Sequence, residues 1–530
     1  MEDQEGHDGA HRAATATPPV ARTRPRPAGA PARRRIHTGR MTTSPLPPYV
    51  AAHTPTGLLI DGEWRPARGG GTFAVADPAT TDVLFEVADA APEDGLAALD
   101  AAHRAFPAWR EVAPRTRSDL LRSVFDAMVA RAEDLAALIT AEGGKPLAEA
   151  RAEVQYAAEF VRWYSEQAVR LDGLARRAPA GTHHQLVLRR AVGPALLITP
   201  WNFPIAMITR KVAPALAAGC PVVIKPAGLT PLTTAYFAEL LRAELDARDL
   251  PTGVVNVVPT SSSGAVTGPV IADPRLRKLS FTGSTEVGRT LLKQAADGVL
   301  RTSMELGGNA PFLVFEDADL DVAVEAAVQA KMRNAGQTCV AANRFLVQEP
   351  VAAEFTDRLT AAFERLVVGR GTDPDVTVGP LIERSAVERV DDLVAEAADA
   401  GARVRTGGER PGGRGWFYRP TVLDRVPEDA RAVREEVFGP VAPVVTFGTE
   451  DDGVRLANAT EFGLVAYACT RDVSRVMRLA ERVETGMLGI NRGLVSDASA
   501  PFGGVKSSGI GREGGEAGIE EYLEPLYVAL

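Results

Sequence analysis

Between Val192 and Val347 short apolar runs alternate with longer amphipathic ones, and few folds accept that alternation. Ala195 to Ile198 reads as a buried strand and is followed by a helix through Arg210 to Ala218. Val222 to Ile224 is the next strand, then a helix from about Leu232 to Ala247. Val254 to Val258 and Leu279 to Phe281 are further strands, the second followed by a helix near Val287. After Glu305 the pattern resumes, with Phe312 to Phe315 as strand, Asp321 to Met332 as helix and Arg344 to Val347 as strand. Strands joined by helices pair in parallel and need both faces covered. The expectation is therefore an α/β protein of two doubly wound lobes, with ligands at the carboxyl ends of the strands. Upstream, Leu121, Val124, Phe125 and Met128 fall at i, i+3, i+4 and i+7. That spacing predicts a helix, ending near Gly143-Gly144 with Pro146 just beyond.

At 530 residues the chain exceeds a single core and should divide into domains. A net charge of −9 argues against general affinity for nucleic acid or acidic membranes. The three cysteines, Cys220, Cys339 and Cys469, are too few for a disulfide framework and fit no zinc spacing, so no metal is expected. A reducing, cytoplasmic setting suits them. The apolar run Val212 to Ile224 is too short to span a bilayer and contains Pro214 and Pro221. The first forty residues hold eight Arg and no Lys, and show no apolar periodicity. Residues 1–45 are expected to be a disordered, dispensable tail. Glu2, Asp3, Glu5 and Asp8 argue against a transit peptide, and Met41 reads as a second start.

The chemistry concentrates in three runs. Cys339 closes Arg333-Asn334-Ala335-Gly336-Gln337-Thr338-Cys339, an unusual setting for a core cysteine. Cys220 and Cys469, by contrast, read as packed core thiols. A thiol becomes a strong nucleophile once deprotonated. Glu305, in Glu305-Leu306-Gly307-Gly308-Asn309, supplies a carboxylate able to take that proton, or one from water. Its Gly pair permits close backbone approach to a ligand. Asn202, in Thr199-Pro200-Trp201-Asn202-Phe203-Pro204, follows a buried strand. Its amide can donate to an oxyanion together with the N–H of Cys339, a contact typically worth ~3 kcal/mol in the barrier. Gly283-Ser284-Thr285-Glu286-Val287-Gly288 follows a strand and opens a helix, which suits a pyrophosphate, although the spacing is not G-x-G-x-x-G. A cysteine hydrolase or acyltransferase is the competing class. It would want a histidine base, and none of the seven histidines lies near Cys339 in the sequence.

The Cys339 and Glu305 runs and Trp201-Asn202-Phe203-Pro204 resemble signatures of the aldehyde dehydrogenase family, from about Leu58 to the C-terminus. Within the family the chain is similar to succinate-semialdehyde dehydrogenases, with glutarate semialdehyde or a broad range of aldehydes as alternative substrates. The resemblance implies two Rossmann-like lobes and a small β oligomerisation element. Residues 55–170 and 192–304 would bind cofactor, 305–515 would carry catalysis, and 171–191 with 516–530 would assemble a homodimer or homotetramer. It implies a thiohemiacetal on Cys339, a thioester after hydride transfer to NAD(P), and Glu305 as base. Cofactor contacts are implied for Thr199, Pro200, Trp201, Lys225, Pro226, Ala227, Gly228, Gly283, Ser284, Gly288, Leu306, Glu436 and Phe438. Arg210, Arg333 and Ser496 match the positions that grip the far carboxylate of the substrate, a task suited to guanidinium groups. Two departures stand out. Gly228 replaces a glutamate common in relatives, which favours NADP while leaving NAD open, because a carboxylate there would repel a 2′-phosphate. Ala341 replaces a second cysteine found in some relatives, so no local disulfide switch can form.

Overall fold

The computed structural model describes residues 46–530, so the Arg-rich segment lies outside the described residues. Five buried runs form the parallel centre of the first sheet. Their order is Val255–Val257, Val222–Lys225, Ala195–Ile198, Lys278–Thr282 and Arg301–Glu305. Leu58–Ile60 and Glu63–Arg65 extend one edge antiparallel, and Gly509–Ile510 extends the other. From Ala195–Ile198 the chain winds first to one side and later, through Lys278–Thr282, to the other. The carboxyl ends of those two strands therefore flank the switch point where such sheets bind ligands.

A second sheet runs Arg403–Thr406, Thr421–Asp424, Val441–Phe447, Ala342–Gln348, Ala310–Val314, Val465–Cys469 and Met487–Ile490. All its pairings are parallel except the first. Each sheet buries its own apolar core. The two α/β lobes read from the sequence are thus present. The two sheets turn different ends toward the candidate site, the first its carboxyl ends. In the second, Cys339 precedes Ala342–Gln348 and Gly307-Gly308 precedes Ala310–Val314, so its amino ends face the site. The cause is connectivity: Arg301–Glu305 ends in the first sheet, and four residues later Ala310–Val314 begins in the second.

The helix expected to run on to Gly143 is two helices, Pro114–Ala130 and Ala132–Gly143. They are broken at Arg131, whose φ of −115° and ψ of 22° leave the helical region. The strand Arg301–Glu305 escaped the sequence reading because Arg-Thr-Ser-Met-Glu carries almost no apolar signal. Its Ser303 faces a buried polar column, bonded to Lys278 and to Glu521 at 2.9 Å. The apolar C-terminal strand Leu523–Ala529 pairs along its whole length with His184–Ala191, which also pairs with Leu174–Arg177. Leu174, Leu188 and Tyr527 on this three-stranded sheet stay exposed. Among the described residues no helix is long and apolar enough to cross a membrane.

Gly144 ends the second of the two helices in the left-handed region at φ 74°, and a Cβ there would lie 2.4 Å from Pro380 Cγ. Gly144→Ala thus meets both backbone strain and overpacking. It should lower unfolding free energy by about 1–3 kcal/mol in a urea titration. An unchanged midpoint would show that neither constraint is felt.

Candidate active site

Three backbone segments converge where the sheets meet. The first follows Ala195–Ile198 and carries Asn202, which is buried. The second is Leu306 to Asn309, leaving Glu305. The third is the turn before Ala342–Gln348 that presents Cys339. Asn334, Ala335 and Gly336 take left-handed angles in succession, with φ of 51°, 53° and 77°. Left-handed backbone typically costs a non-glycine residue roughly 1–2 kcal/mol, so something must hold this turn. Asn334 Nδ2 donates to the carbonyls of Asn202 and Gln337, both at 3.1 Å. Gln337 Oε1 accepts from Ile382 N at 2.9 Å. Asn202 Nδ2 donates to Gln337 O at 3.2 Å, leaving its second N–H available.

Glycines set the closeness of approach. A Cβ on Gly308 would lie 2.6 Å from the Cys339 carbonyl oxygen, and one on Gly336 would lie 2.2 Å from the Gly439 carbonyl oxygen. Both neighbours are backbone and cannot move aside.

Glu305 is buried, and neither carboxyl oxygen has a hydrogen-bond partner among the described residues. Burial first, and the charge of Glu513 second, hold its pKa well above the ordinary carboxylate range. Arg210, Lys211 and Arg512 pull it back. A carboxyl so placed exchanges its proton nearer neutrality. Cys339 keeps part of its surface open. Enclosure by protein nevertheless pushes its thiol up to about 12, with Arg210 opposing and Glu436 and Glu305 adding to the rise. Among the described residues no histidine lines the pocket beside it.

That pocket is walled by Tyr156, Phe203, Arg210, Arg333, Ser496 and Phe502, among others. The two arginines expected to act alike sit differently. Arg210 is fully buried, stacked 4.2 Å from the Phe502 ring centre and ion-paired with Glu513. Its Nη2 has no hydrogen bond. Arg333 has no ion pair among the described residues and rests on the Phe203 ring at 4.9 Å. The Tyr156 hydroxyl lies beside Ser496 and Arg210 but outside hydrogen-bond geometry.

On the first sheet's switch-point side, Lys225 ends the strand Val222–Lys225 and is almost wholly buried. It has no carboxylate or hydrogen-bond partner among the described residues, and burial alone brings its pKa down to about 8. A buried, partnerless ammonium followed by Pro226, Ala227 and Gly228 fits a polar group from a nucleotide. A Cβ on Gly228 would meet only Thr260 O at 3.3 Å and Phe73 at 3.8 Å. Thr199 N bonds Lys225 O at 3.2 Å, which places Pro200 and Trp201 along the same edge. Ser284 caps the helix Thr285–Asp297, and Gly288 packs on Leu306, where a Cβ would lie 2.4 Å from Leu306 Cδ2. Gly283 is pressed against Phe281 in the same way. Glu436 accepts from Gly308 N at 3.3 Å, and burial lifts its pKa to about 7. Phe438 packs edge-on against Trp201 at 5.6 Å.

The aldehyde dehydrogenase family profile matches residues 64–528. The chain belongs to the aldehyde dehydrogenase family. It is 57% identical to a succinate-semialdehyde dehydrogenase of Paenarthrobacter nicotinovorans, over 84% of this chain and 99% of that protein. It is 49% identical to the NADP(+) succinate-semialdehyde dehydrogenase GabD of Escherichia coli K12, over 89% of this chain and 97% of the relative. The crystal structure of succinate-semialdehyde dehydrogenase from Burkholderia pseudomallei superposes with a TM-score of 0.89 at 46% identity, covering 92% of this chain and 100% of that one.

Around the site of this aldehyde dehydrogenase lie several groups that sequence reasoning missed. Glu513 and Lys211 form an ion pair beside Glu305. Lys145 pairs with Glu153 and donates to Asn202 O at 3.1 Å. Glu149 Oε2 accepts from Asn334 N at 2.7 Å. Lys331 is buried without a hydrogen bond, and its pKa is down at about 7. A signal existed for some of these. Arg210-Lys211 interrupts the helix Ala206–Ala218, every residue of which is buried, and charges in such a helix demand a buried counter-ion.

A thiol held near 12 is mostly protonated in the free enzyme. The rate of Cys339 alkylation by iodoacetamide should therefore keep climbing with pH to about 9.5 without levelling. Peptide mapping would assign the label. A plateau below about pH 8 would mean that a resident base already ionises the thiol without substrate.

Proposed function

We propose that this aldehyde dehydrogenase oxidises succinate semialdehyde, or a close dicarboxylic semialdehyde, to the acid, with NADP preferred over NAD. The observation that carries the substrate reading is the pocket beside Cys339. It holds one guanidinium with no ion pair, Arg333, and a second, Arg210, with an unbonded Nη2. A neutral aldehyde would leave Arg333 half-buried against aromatic rings with no carboxylate in ion-pair contact among the described residues. A substrate carboxylate supplies one, with Ser496 on the same wall.

Cys339 Sγ adds to the aldehyde carbon as the thiol passes its proton to Glu305 and on to solvent, and the carbonyl oxygen becomes an alkoxide. The free N–H of the Asn202 amide and the backbone N–H of Cys339 are the donors for that oxygen. Lys225, Glu436, Trp201, Phe438 and the start of the helix Thr285–Asp297 would hold the nucleotide, with Thr199, Pro200, Pro226, Ala227, Gly228, Gly283, Ser284, Gly288 and Leu306 lining it. When bound, its nicotinamide supplies the hydride acceptor. Once hydride has left the thiohemiacetal, the acyl group is a thioester on Cys339; Glu305 takes a proton from water, which attacks the thioester, and returns it to Cys339, which leaves as the thiol. Overall one aldehyde, one water and one oxidised nucleotide give one acid, one reduced nucleotide and one proton.

The NADP preference is supported by Gly228, where no carboxylate opposes a 2′-phosphate, and by the unpaired Lys225 three residues earlier. Residues 55–170 and 192–304 are read as the cofactor-binding domain and 305–515 as the catalytic one. The exposed sheet of 171–191 and 516–530 is read as a surface for homodimer or homotetramer assembly.

Arg333→Ala should cut kcat/KM for a carboxylate-bearing semialdehyde by ~2–5 kcal/mol in barrier terms and spare a neutral aldehyde of similar length. Arg210→Ala should show the same bias plus a general loss, because it also leaves Glu513 with Lys211 as its one remaining ion-pair partner among the described residues. Reduced nucleotide is followed at 340 nm with succinate, glutarate and uncharged aldehydes. Equal losses on charged and neutral substrates in both variants would make the arginines structural and sink the semialdehyde reading.

Gly228→Glu should move the ratio of kcat/KM for NADP over NAD toward NAD. The added Cβ has contacts at 3.3 and 3.8 Å, so the fold tolerates it with a small shift. A ratio that stays in place or moves toward NADP would overturn the account of Gly228.

A further inference from the structure

The left-handed turn Asn334-Ala335-Gly336 is strained, and its main-chain N–H at Asn334 is held from outside by one side chain. Glu149 Oε2 accepts that N–H at 2.7 Å. Glu149 lies in the first turn of the helix Leu147–Gln167. One helical turn later on the same face, Glu153 Oε1 accepts from Ile205 N at 3.2 Å and Ala206 N at 3.3 Å, the start of the helix that follows Asn202. Lys145, just ahead of the same helix, is ion-paired to Glu153 and donates to Asn202 O at 3.1 Å. One rigid rod therefore grips both the segment that carries the oxyanion amide and the turn that carries the nucleophile. The two grips are the carboxylates of Glu149 and Glu153.

We propose that Glu149 is a positioning residue for catalysis. By accepting the Asn334 N–H it locks the left-handed turn in the shape that sets Cys339 against the Asn202 amide. This inference rests on the reading of Cys339 as nucleophile. Glu149 is not in the pocket that holds Cys339, and the cations facing it are Lys145 and Arg333. What matters in this role is reach and an acceptor oxygen, not the negative charge. An amide oxygen at the same distance serves equally, whereas a carboxylate one methylene shorter does not reach.

The test compares Glu149→Gln, Glu149→Asp and Glu149→Ala in the full chain, with thermal melts showing each folded. Measured are kcat, KM for the nucleotide and the rate of Cys339 alkylation by iodoacetamide. Glu149→Gln should keep kcat within about threefold of the parent. The Asp and Ala variants should lose about tenfold or more, since misplacement of reacting groups by a fraction of an ångström is enough for that. Their alkylation rates should change as well, while the nucleotide KM stays within about twofold, because the nucleotide contacts are elsewhere. Asp active and Gln inactive would mean that charge, not position, is what Glu149 supplies, and would overturn the proposal. So would Ala with parental kcat, or a nucleotide KM that rises in step with the loss of kcat. Cys339→Ala, run alongside, tests the nucleophile reading separately. If it retains turnover, that reading fails whatever the Glu149 series does.

Discussion

Everything at this site depends on two stretches of backbone passing closer than side chains allow. The loop after Glu305 runs from the first sheet into the second, and at Gly308 a Cβ would come within 2.6 Å of the Cys339 carbonyl oxygen. That contact is main chain against main chain, so no rotamer change relieves it. The turn carrying Cys339 meets a second such limit at Gly336 against Gly439. Between them these contacts fix Cys339 relative to Glu305 and to the amino edge of the second sheet. The sheets meet end-on because the chain has only Leu306 to Asn309 in which to cross from one to the other. Catalytic groups from both lobes then sit within a few residues of strand ends, which are the best-held positions in an α/β protein.

Charge burial is the second constraint. Glu305 has no hydrogen-bond partner, and the charged groups that bear on it are Glu513, Arg210, Lys211 and Arg512. Glu513 is ion-paired to both Arg210 and Lys211, so the three share charge within one buried cluster. Isolated, any of these charges would be expelled from such a site at a cost of several kcal/mol. Together they leave Glu305 as the carboxyl without a fixed partner, and so the one whose proton is easiest to exchange. Buried polar partners of its own, Lys278 and Glu521, explain why a polar strand such as Arg301–Glu305 survives inside a sheet. Its Ser303 and Glu305 face groups that need polar neighbours.

The lobes were legible because parallel strands buried on both faces write themselves as apolar runs, and those runs matched the observed strands to within a residue or two. Cys339, Glu305 and Asn202 were legible because each stands in an unusual local setting. What was not legible depends on contacts between distant positions. Glu149 and Glu153 look like ordinary helix-surface carboxylates in sequence, and only folding brings one to Asn334 and the other to Ile205. Glu513 is three hundred residues from its partners in the chain. The break at Arg131 also left no mark, because the apolar spacing continues across it. The carboxyl-end rule describes a lobe that binds its own ligand, whereas here the second sheet turns its amino ends toward the segments carrying Cys339 and Gly307-Gly308.

The two arginines show where residue type stops carrying information. In sequence Arg210 and Arg333 are equivalent, each beside a catalytic run and each suited to a carboxylate. In the folded chain one is committed and the other is not. Arg210 has given its charge to Glu513 and retains only a hydrogen-bond donor, while Arg333 keeps a whole charge against the faces of Phe203 and Tyr156. Under the proposed function, electrostatic attraction for an anionic substrate would therefore come mainly from Arg333. Arg210 would contribute geometry, and its bond to Glu513 would link substrate recognition to the charged cluster around Glu305. A carboxylate drawing on Arg210 would share it with Glu513, and the contact that recognises the substrate would also adjust the field at Glu305.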